Sequence, residues 1–196
     1  VIAIDDGSAD ELPALLTRAA QDEVAFAFSH HRLDGTSPGK RDALRFGVGQ
    51  ASGEWLLFTD ADCQPAGPAW ASEMTASHPD DVAAVLGVSW PKDGAPATGF
   101  ARVQALDALY IMRSYVGWAE RGKPYMGVGR NLAIRRSAFQ GFSNAPATAS
   151  GDDDMVIQAL ASTPDVCIAV TGHRAAHMDA AMPATWSDWL AQKRRH

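Results

Sequence analysis

The sequence predicts an α/β domain built on a mostly parallel sheet. Short apolar runs with β-rich composition alternate with segments of helical periodicity along the 196 residues. Apolar residues make up 46% and charged residues 20%, ordinary globular usage that excludes a disordered or fibrous chain. At roughly 100–200 residues per domain, the length predicts one domain over 1–196.

The elements follow in order. Val1–Ile4 reads as a buried strand, and Asp10–Ala20 as a helix with Leu12, Leu15, Leu16 and Ala19 on one side. Val24–Phe28 is a second strand, His30–Pro38 a polar loop, and Lys40–Gln50 a helix entered through Pro38-Gly39. Trp55–Thr59 is a third strand, followed by a helix around Trp70–Ser77 and a strand over Val82–Val88. Phe100–Trp118 is a longer helix with Phe100, Val103, Leu106 and Tyr110 at helical spacing. Gly117–Arg130 is a glycine-containing loop, Asp152–Ala161 a helix and Val166–Val170 a last strand. The chain opens without methionine inside an apolar run and stops at Gln192–His196 without a helix-ending signal. Both ends therefore read as cut, because termini seldom fall within a core strand.

Charge and cysteine content narrow the function. Lys+Arg is 17 and Asp+Glu is 23, a formal charge of −6 that argues against a general electrostatic grip on nucleic acid. Two cysteines, Cys63 and Cys167, are too few for a disulfide scaffold or a four-thiolate zinc site. They suit a reducing compartment, so the expected location is cytoplasmic. No apolar run approaches the roughly 20 residues that span a bilayer.

Sheets of this class bind ligands beyond the carboxyl ends of their strands. Asp5-Asp6-Gly7-Ser8 follows the first strand. It reads equally as a turn with Ser8 capping a helix or as a carboxylate offered to ligand N–H and hydroxyl groups. Asp60-Ala61-Asp62 follows Trp55-Leu56-Leu57-Phe58. In an extended segment alternate side chains face the same way, and two such carboxylates call for a cation between them. Oxygen donors suit Mg²⁺ or Mn²⁺. An Asp-x-Asp triplet is common as a solvated turn, but its place directly after an apolar strand favours the metal.

Asp152-Asp153-Asp154 opens a helix, where acidic residues complement the helix dipole. Three in a row exceed what capping needs, which admits a base or ligand role. Lys40, behind Gly39, is unfavourable at a helix start and so favours an anionic ligand over a solvated lysine. Gly127-Val128-Gly129 is a weak dinucleotide signal and reads as a flexible loop. Arg135, Arg136, Lys193, Arg194 and Arg195 read individually as surface charges.

Taken in order, these segments resemble the family 2 glycosyltransferases. The resemblance runs through Asp5-Asp6-Gly7-Ser8, Gly39-Lys40-x-x-Ala43-Leu44 and Gly53-Glu54-x-Leu56-Leu57-Phe58-Thr59-Asp60-Ala61-Asp62-Cys63. It continues through Gly129-Arg130-Asn131-Leu132-Ala133-Ile134-Arg135, Ser150-Gly151-Asp152-Asp153-Asp154-Met155 and Gln192-Lys193-Arg194-Arg195. It implies a GT-A, Rossmann-like nucleotide-diphospho-sugar transferase sandwich and an inverting transfer from a UDP-sugar to a hydroxyl acceptor, whether glycan, lipid or small molecule. Asp6 matches the carboxylate that meets the base, with Asp5 beside it, and Lys40 matches a nucleotide-side position. Asp60 and Asp62 match the metal motif that holds the donor diphosphate with Mg²⁺ or Mn²⁺, Asp62 being the direct ligand. Asp152 matches the acceptor-activating base, and a shift of one residue nominates Asp153. Gln192, Arg194 and Arg195 match a Gln-x-x-Arg-Trp motif near the donor diphosphate.

The chain also departs from that pattern. The usual first strand is absent, Gly151 stands where many relatives carry Glu, and His196 replaces the motif's Trp. Trp186, Trp189 and Lys193–Arg195 suggest an interfacial segment at the cytoplasmic face of a membrane. Two alternatives compete with this reading. A haloacid-dehalogenase-type phosphatase would use Asp60 as nucleophile, and a non-catalytic domain would bind nucleotide-sugar without transfer.

Overall fold

The structure is a computed structural model that describes residues 1–21, 27–33, 39–76, 78–92, 98–139, 141 and 151–195. Residues 24–26 of the expected second strand, Ser37, Pro38, Ser150, the side chain of Arg195, and His196 lie outside the described residues. The chain divides into two compact units, Val1–Gly53 and Glu54–His196.

In the first unit β1 (Ile2–Asp5) runs parallel to β2 (Ser29–Arg32), with Ile2 opposite Ser29 and Asp5 opposite Arg32. The helix α1 (Leu12–Gln21) lies between them in sequence. α2 (Lys40–Gln50) packs on β1, where a Cβ at Gly47 would lie 3.3 Å from Ile4 Cγ1. Two expectations are corrected. Ser29-His30-His31-Arg32 is a strand rather than the start of a polar loop, because the ladder pairs main-chain groups whatever the side chains. α1 starts at Leu12, not Asp10, and the side chain at its entry is Asp10, whose Oδ1 accepts from Leu12 N–H at 3.0 Å. Ser8 instead donates its N–H to Asp5 Oδ1 at 2.8 Å.

The second unit opens with β3 (Trp55–Phe58), β4 (Cys63–Pro65) and α3 (Trp70–Thr75). β5 (Val82–Gly87), buried along its whole length, and β6 (Ser89–Pro91) follow. α4 (Gly99–Ala119) starts behind Thr98, whose Oγ1 accepts from Ala101 N–H at 3.1 Å. Then come β7 (Leu132–Arg135), α5 (Asp152–Ala161), β8 (Cys167–Thr171), a 3₁₀ turn at Arg174–Ala176, β9 (Met178–Ala180) and α6 (Trp186–Arg195).

The main sheet is four-stranded in the order β3-β7-β5-β8, and a three-stranded sheet has the order β4-β9-β6. β7 runs antiparallel to both β3 and β5, and β4 antiparallel to β9, whereas β5 with β8 and β6 with β9 are parallel. The sheets are therefore mixed, which corrects the mostly parallel expectation. The cause lies in the connection before β7. The connection through α4 brings the chain back to the end of the sheet where β5 finished, so that Leu132 starts β7 opposite Leu86 and the strand runs antiparallel.

The core of this unit is built on alternation. Leu57, Ala133, Val85 and Ala169 are neighbours in register across all four strands. Val85 and Ala133 pack with Met74 of α3 and with Ala176. The alternate positions Leu132 and Ile134 belong to the opposite face, where Val156 of α5 shares a recess with them. Asn131 is 1% exposed and fully bonded: its Nδ2 donates to Val88 O at 2.8 Å and Ala176 O at 2.9 Å, and its Oδ1 accepts from Trp70 Nε1 at 2.9 Å. Arg135 is no free surface charge. Its guanidinium lies 4.5 Å from the Trp55 ring, pairs with Glu54 and donates to Val82 O at 2.8 Å.

Candidate active site

In the first unit Asp5 and Asp6 do different things. Asp5 is 1% exposed, accepts the Ser8 N–H and lies 3.8 Å from Arg32 Nε. Hydrogen bonding from Ser8 holds its carboxyl below the usual range, with Arg32 adding to the effect against the cost of burial. Asp6 next to it is exposed, and Gly7, at φ 83°, takes the left-handed turn conformation that a side chain would resist. Lys40 is exposed at the first position of α2, behind Gly39 at φ 108°.

In the second unit the chain leaves β3 at Phe58 and turns immediately. Cys63 N–H donates to Asp60 O at 3.1 Å, so residues 60–62 form a turn and not the extended segment expected. The turn nonetheless brings the side chains together: ligand atoms of Asp60, Asp62 and Cys63 all lie within 4.8 Å of one another. β4 anchors this turn to β9 through the Cys63–Ala180 pairing, and Ala181 N–H donates to Asp62 O at 3.2 Å. Burial pushes the Cys63 thiol up to about 12, and the adjacent Asp62, 3.4 Å from Sγ, adds to that. The thiol stays protonated, and the hard carboxylate oxygens suit Mg²⁺ or Mn²⁺.

The sequence assigns Arg130 no role of its own. Its guanidinium acts electrostatically on the Cys63 thiol and on the buried Tyr115 hydroxyl, opposing the upward push on each. It thus brings positive charge towards the Asp60–Asp62 turn. The signal available in the sequence was a cation set between Gly129 and Asn131, both of which are buried.

The acidic triplet is divided by its contacts. Asp153 Oδ2 accepts from Gly129 N–H at 3.0 Å, and Asp154 Oδ1 accepts from Gly127 N–H at 3.2 Å. These bonds pin the loop that reads as flexible in the sequence. A Cβ at Gly129 would sit 2.2 Å from Asp153 Oδ2, and one at Gly127 would sit 2.7 Å from Ile157 Cγ1, so neither position has room for a side chain. Burial, with Asp153 nearby, raises the Asp154 carboxyl above its usual value against the Gly127 bond. Asp152 is the first residue of α5, behind Gly151 at φ 101°. Phe58, Leu132, Ile134, Asp153 and Val156 line one recess, which ties the tip of β3 to the start of α5.

α6 is packed on α4. Phe100 stacks on Trp186 at 4.4 Å and meets Trp189 edge-on at 6.4 Å, and Lys193 pairs with Asp107. Its entry is a Thr185-x-x-Asp188 cap, in which Thr185 Oγ1 accepts from Asp188 N–H at 3.2 Å. Gln192 is half-buried and Arg194 exposed.

Within the second unit, Asp60 and Asp62 beyond the tip of β3 thus gather oxygen donors of the kind that suit a hard divalent cation. Residues 1–142 match the model of the family described as Glycosyl transferase family 2, and the chain belongs to that family. The match ends before Asp152 and Gln192, and membership sets aside the phosphatase alternative. Comparison with curated protein sequences returns no significant match.

Solved structures share the fold. A mannosyltransferase from Pyrobaculum calidifontis, in complex with GDP-Man and Mn²⁺, is 20% identical with a TM-score of 0.72 over 100% of this chain and 50% of that one. S. aureus TarS 1–349, in complex with UDP-GlcNAc, is 14% identical with a TM-score of 0.60 over 94% of this chain and 50% of that one. Glucosyl-3-phosphoglycerate synthase from Mycobacterium tuberculosis, in complex with Mn²⁺ and UDP-Glc, is 16% identical with a TM-score of 0.59 over 98% of this chain and 64% of that one. The fold is accordingly GT-A-like, and the chain spans about half to two thirds of the length of these structures.

Proposed function

We propose that this chain carries the donor-binding and catalytic machinery of an inverting glycosyltransferase that moves a sugar from a nucleoside-diphosphate donor to a hydroxyl acceptor. The observation that supports this most is the convergence of Asp60 and Asp62 in the turn after β3. We assign them the divalent cation, Mg²⁺ or Mn²⁺, which when bound stabilises the charge gained by the leaving diphosphate as a Lewis acid. Lys40, Arg194 and Arg195 are assigned to the donor's phosphates together with Gln192, and Asp6 with Asp5 beside it to the nucleotide base, on the strength of the motif resemblance. Arg130 adds a cation on the Asp60–Asp62 side.

Asp152 is assigned the base. Its carboxylate takes the acceptor hydroxyl proton while that oxygen attacks the anomeric carbon opposite the leaving group, inverting the configuration in one displacement. Asp153 and Asp154 hold the Gly127–Gly129 loop through hydrogen bonds, and the preference for Asp152 over Asp153 rests on the motif aligned through Met155. A UDP-sugar is the proposed donor, in line with the UDP-sugar complexes of two of the relatives above. We read 1–196 as one GT-A domain, since the family match crosses from the first unit into the second without a break. Two free cysteines accord with a cytoplasmic protein.

Calorimetric titration with UDP tests the cation site. Affinity should depend on Mn²⁺ or Mg²⁺, and Asp62→Ala should abolish that dependence. Unchanged affinity in the variant would remove the metal assignment. In parallel, Asp152→Asn should retain UDP binding and lose about 10²–10⁴-fold in transfer. Full turnover in that variant would move the base to Asp153, and metal-dependent binding with no transfer to any acceptor would leave a pure binding domain.

A further inference from the structure

Arg130 stands at the tip of the main sheet as a cation the fold itself does not use. β7 runs antiparallel to β3, with Leu132 opposite Phe58, and antiparallel to β5, with Leu132 opposite Leu86. The residues just before Leu132 therefore lie at the sheet end where β3 and β5 finish, the end that also carries the Asp60–Asp62 turn. Arg130 is half-buried there. Its guanidinium makes no hydrogen bond or ion pair with any described residue, although it is near enough to act on the Cys63 thiol and the Tyr115 hydroxyl. A charge drawn partly out of water without a partner is costly, so the group calls for an anion that the chain does not supply.

The main chain on either side of Arg130 is held firmly. Asn131 N–H closes a turn onto Val128 O at 2.9 Å. Before Arg130, Gly129 N–H is bonded to Asp153 Oδ2 at 3.0 Å, with no room for a Cβ. After it, the buried Asn131 side chain bonds Val88 O, Ala176 O and Trp70 Nε1. A guanidinium on so fixed a base loses little freedom when a ligand arrives. The Gly129–Asp153 bond also ties Arg130 to the first turn of α5, whose first residue is Asp152. Arg130 thus stands between the turn assigned to the divalent cation and the carboxylate assigned to the acceptor proton.

We propose that Arg130 recognises an anionic group, phosphate or carboxylate, borne by the acceptor, so that this enzyme glycosylates a charged hydroxyl compound and not a neutral sugar. The proposal rests on the transferase reading above and names the acceptor class for it. Guanidinium groups bind both anions through paired N–H donors. An anionic acceptor approaching Asp152 meets the carboxylates of α5 and of the Asp60–Asp62 turn, and a cation must offset that repulsion. A neutral acceptor needs no such cation and would leave Arg130 unmatched. The leaving diphosphate is served by the divalent cation, whereas the main chain of Arg130 is tied to α5, where the acceptor hydroxyl gives up its proton.

Calorimetry on the whole chain, saturated with UDP and Mg²⁺, tests this with glycerol 3-phosphate, glycerate and glycerol as probes. Both anions should bind and glycerol should not. Arg130→Ala should weaken the anions by about ten-fold or more, and UDP by much less. Arg130→Lys, which keeps the charge without the paired donors, should recover part of the loss. Both variants should melt near the wild-type temperature, since the side chain bonds no described residue. Equal binding of the three probes, absence of anion binding, or anion binding indifferent to Arg130→Ala overturns the proposal. A larger loss for UDP than for the anions would assign the guanidinium to the donor and overturn it equally. In each of these outcomes metal-dependent UDP binding persists, and the transferase reading with it. Absence of metal-dependent UDP binding instead removes that reading and this proposal together.

Discussion

Asp152, Asp153 and Asp154 share a residue type and one turn of helix, yet their environments separate them. Asp154 is the most informative for pH. Its folded pKa lies above the unfolded value near 3.8, so at neutral pH its ionised form destabilises the fold. That penalty fades as pH falls through the raised pKa. Asp154→Asn keeps an oxygen to accept the Gly127 N–H and removes the charge. The variant should therefore melt higher than wild type at neutral pH, with the difference closing on acidification, as thermal scans at several pH values would reveal. Asp5 has the opposite sign: its depressed pKa contributes stability that is present above 3.8 and lost as pH falls through the folded value. At this scale the sequence displayed the carboxylates and their order. It could not say that Asp153 and Asp154 hold a loop, since their partners Gly129 and Gly127 lie more than twenty residues upstream.

At the scale of elements, helices with a clear periodic face and start signal were legible. The expected ranges Lys40–Gln50 and Asp152–Ala161 coincide with α2 and α5. Missed were β4, β6 and β9, of three residues each, and β7, of four. Such strands are too short to show a period and exist because neighbours pair with them. α6 is the exception among the helices, unpredicted although its Thr185-x-x-Asp188 cap is present in the sequence. The junction of β5 and β7 gives a sharp test. A Cβ at Gly87 would lie 2.4 Å from the Asn131 side chain, which already bonds Trp70, Val88 and Ala176. Gly87→Ala should cost about 1–3 kcal/mol of stability, read as a lower urea midpoint, and a wild-type midpoint would show that Asn131 can yield.

For the whole molecule, burial is distributed unevenly. Every buried hydrophobic side chain among the described residues, from Leu56 to Ala180, belongs to the second unit. In the first unit the buried side chains are the polar Asp5 and Arg41. Regions with little apolar burial open at lower free energy. Amides of β1 and β2 should accordingly exchange with solvent before those of β5 and β7 under native conditions. Equal protection across the units would refute that ordering. No helix among the described residues is long and apolar enough to cross a membrane. By itself the sequence determined what depends on near neighbours: helical faces, turn glycines, and an ordered series of strand-tip motifs that pointed to the right family. The tertiary structure alone decided the antiparallel course of β7, the turn that gathers Asp60, Asp62 and Cys63, and the approach of Arg130 towards it. Those features are contacts between segments far apart along the chain, and no local period or cap encodes which distant strand will supply the partner.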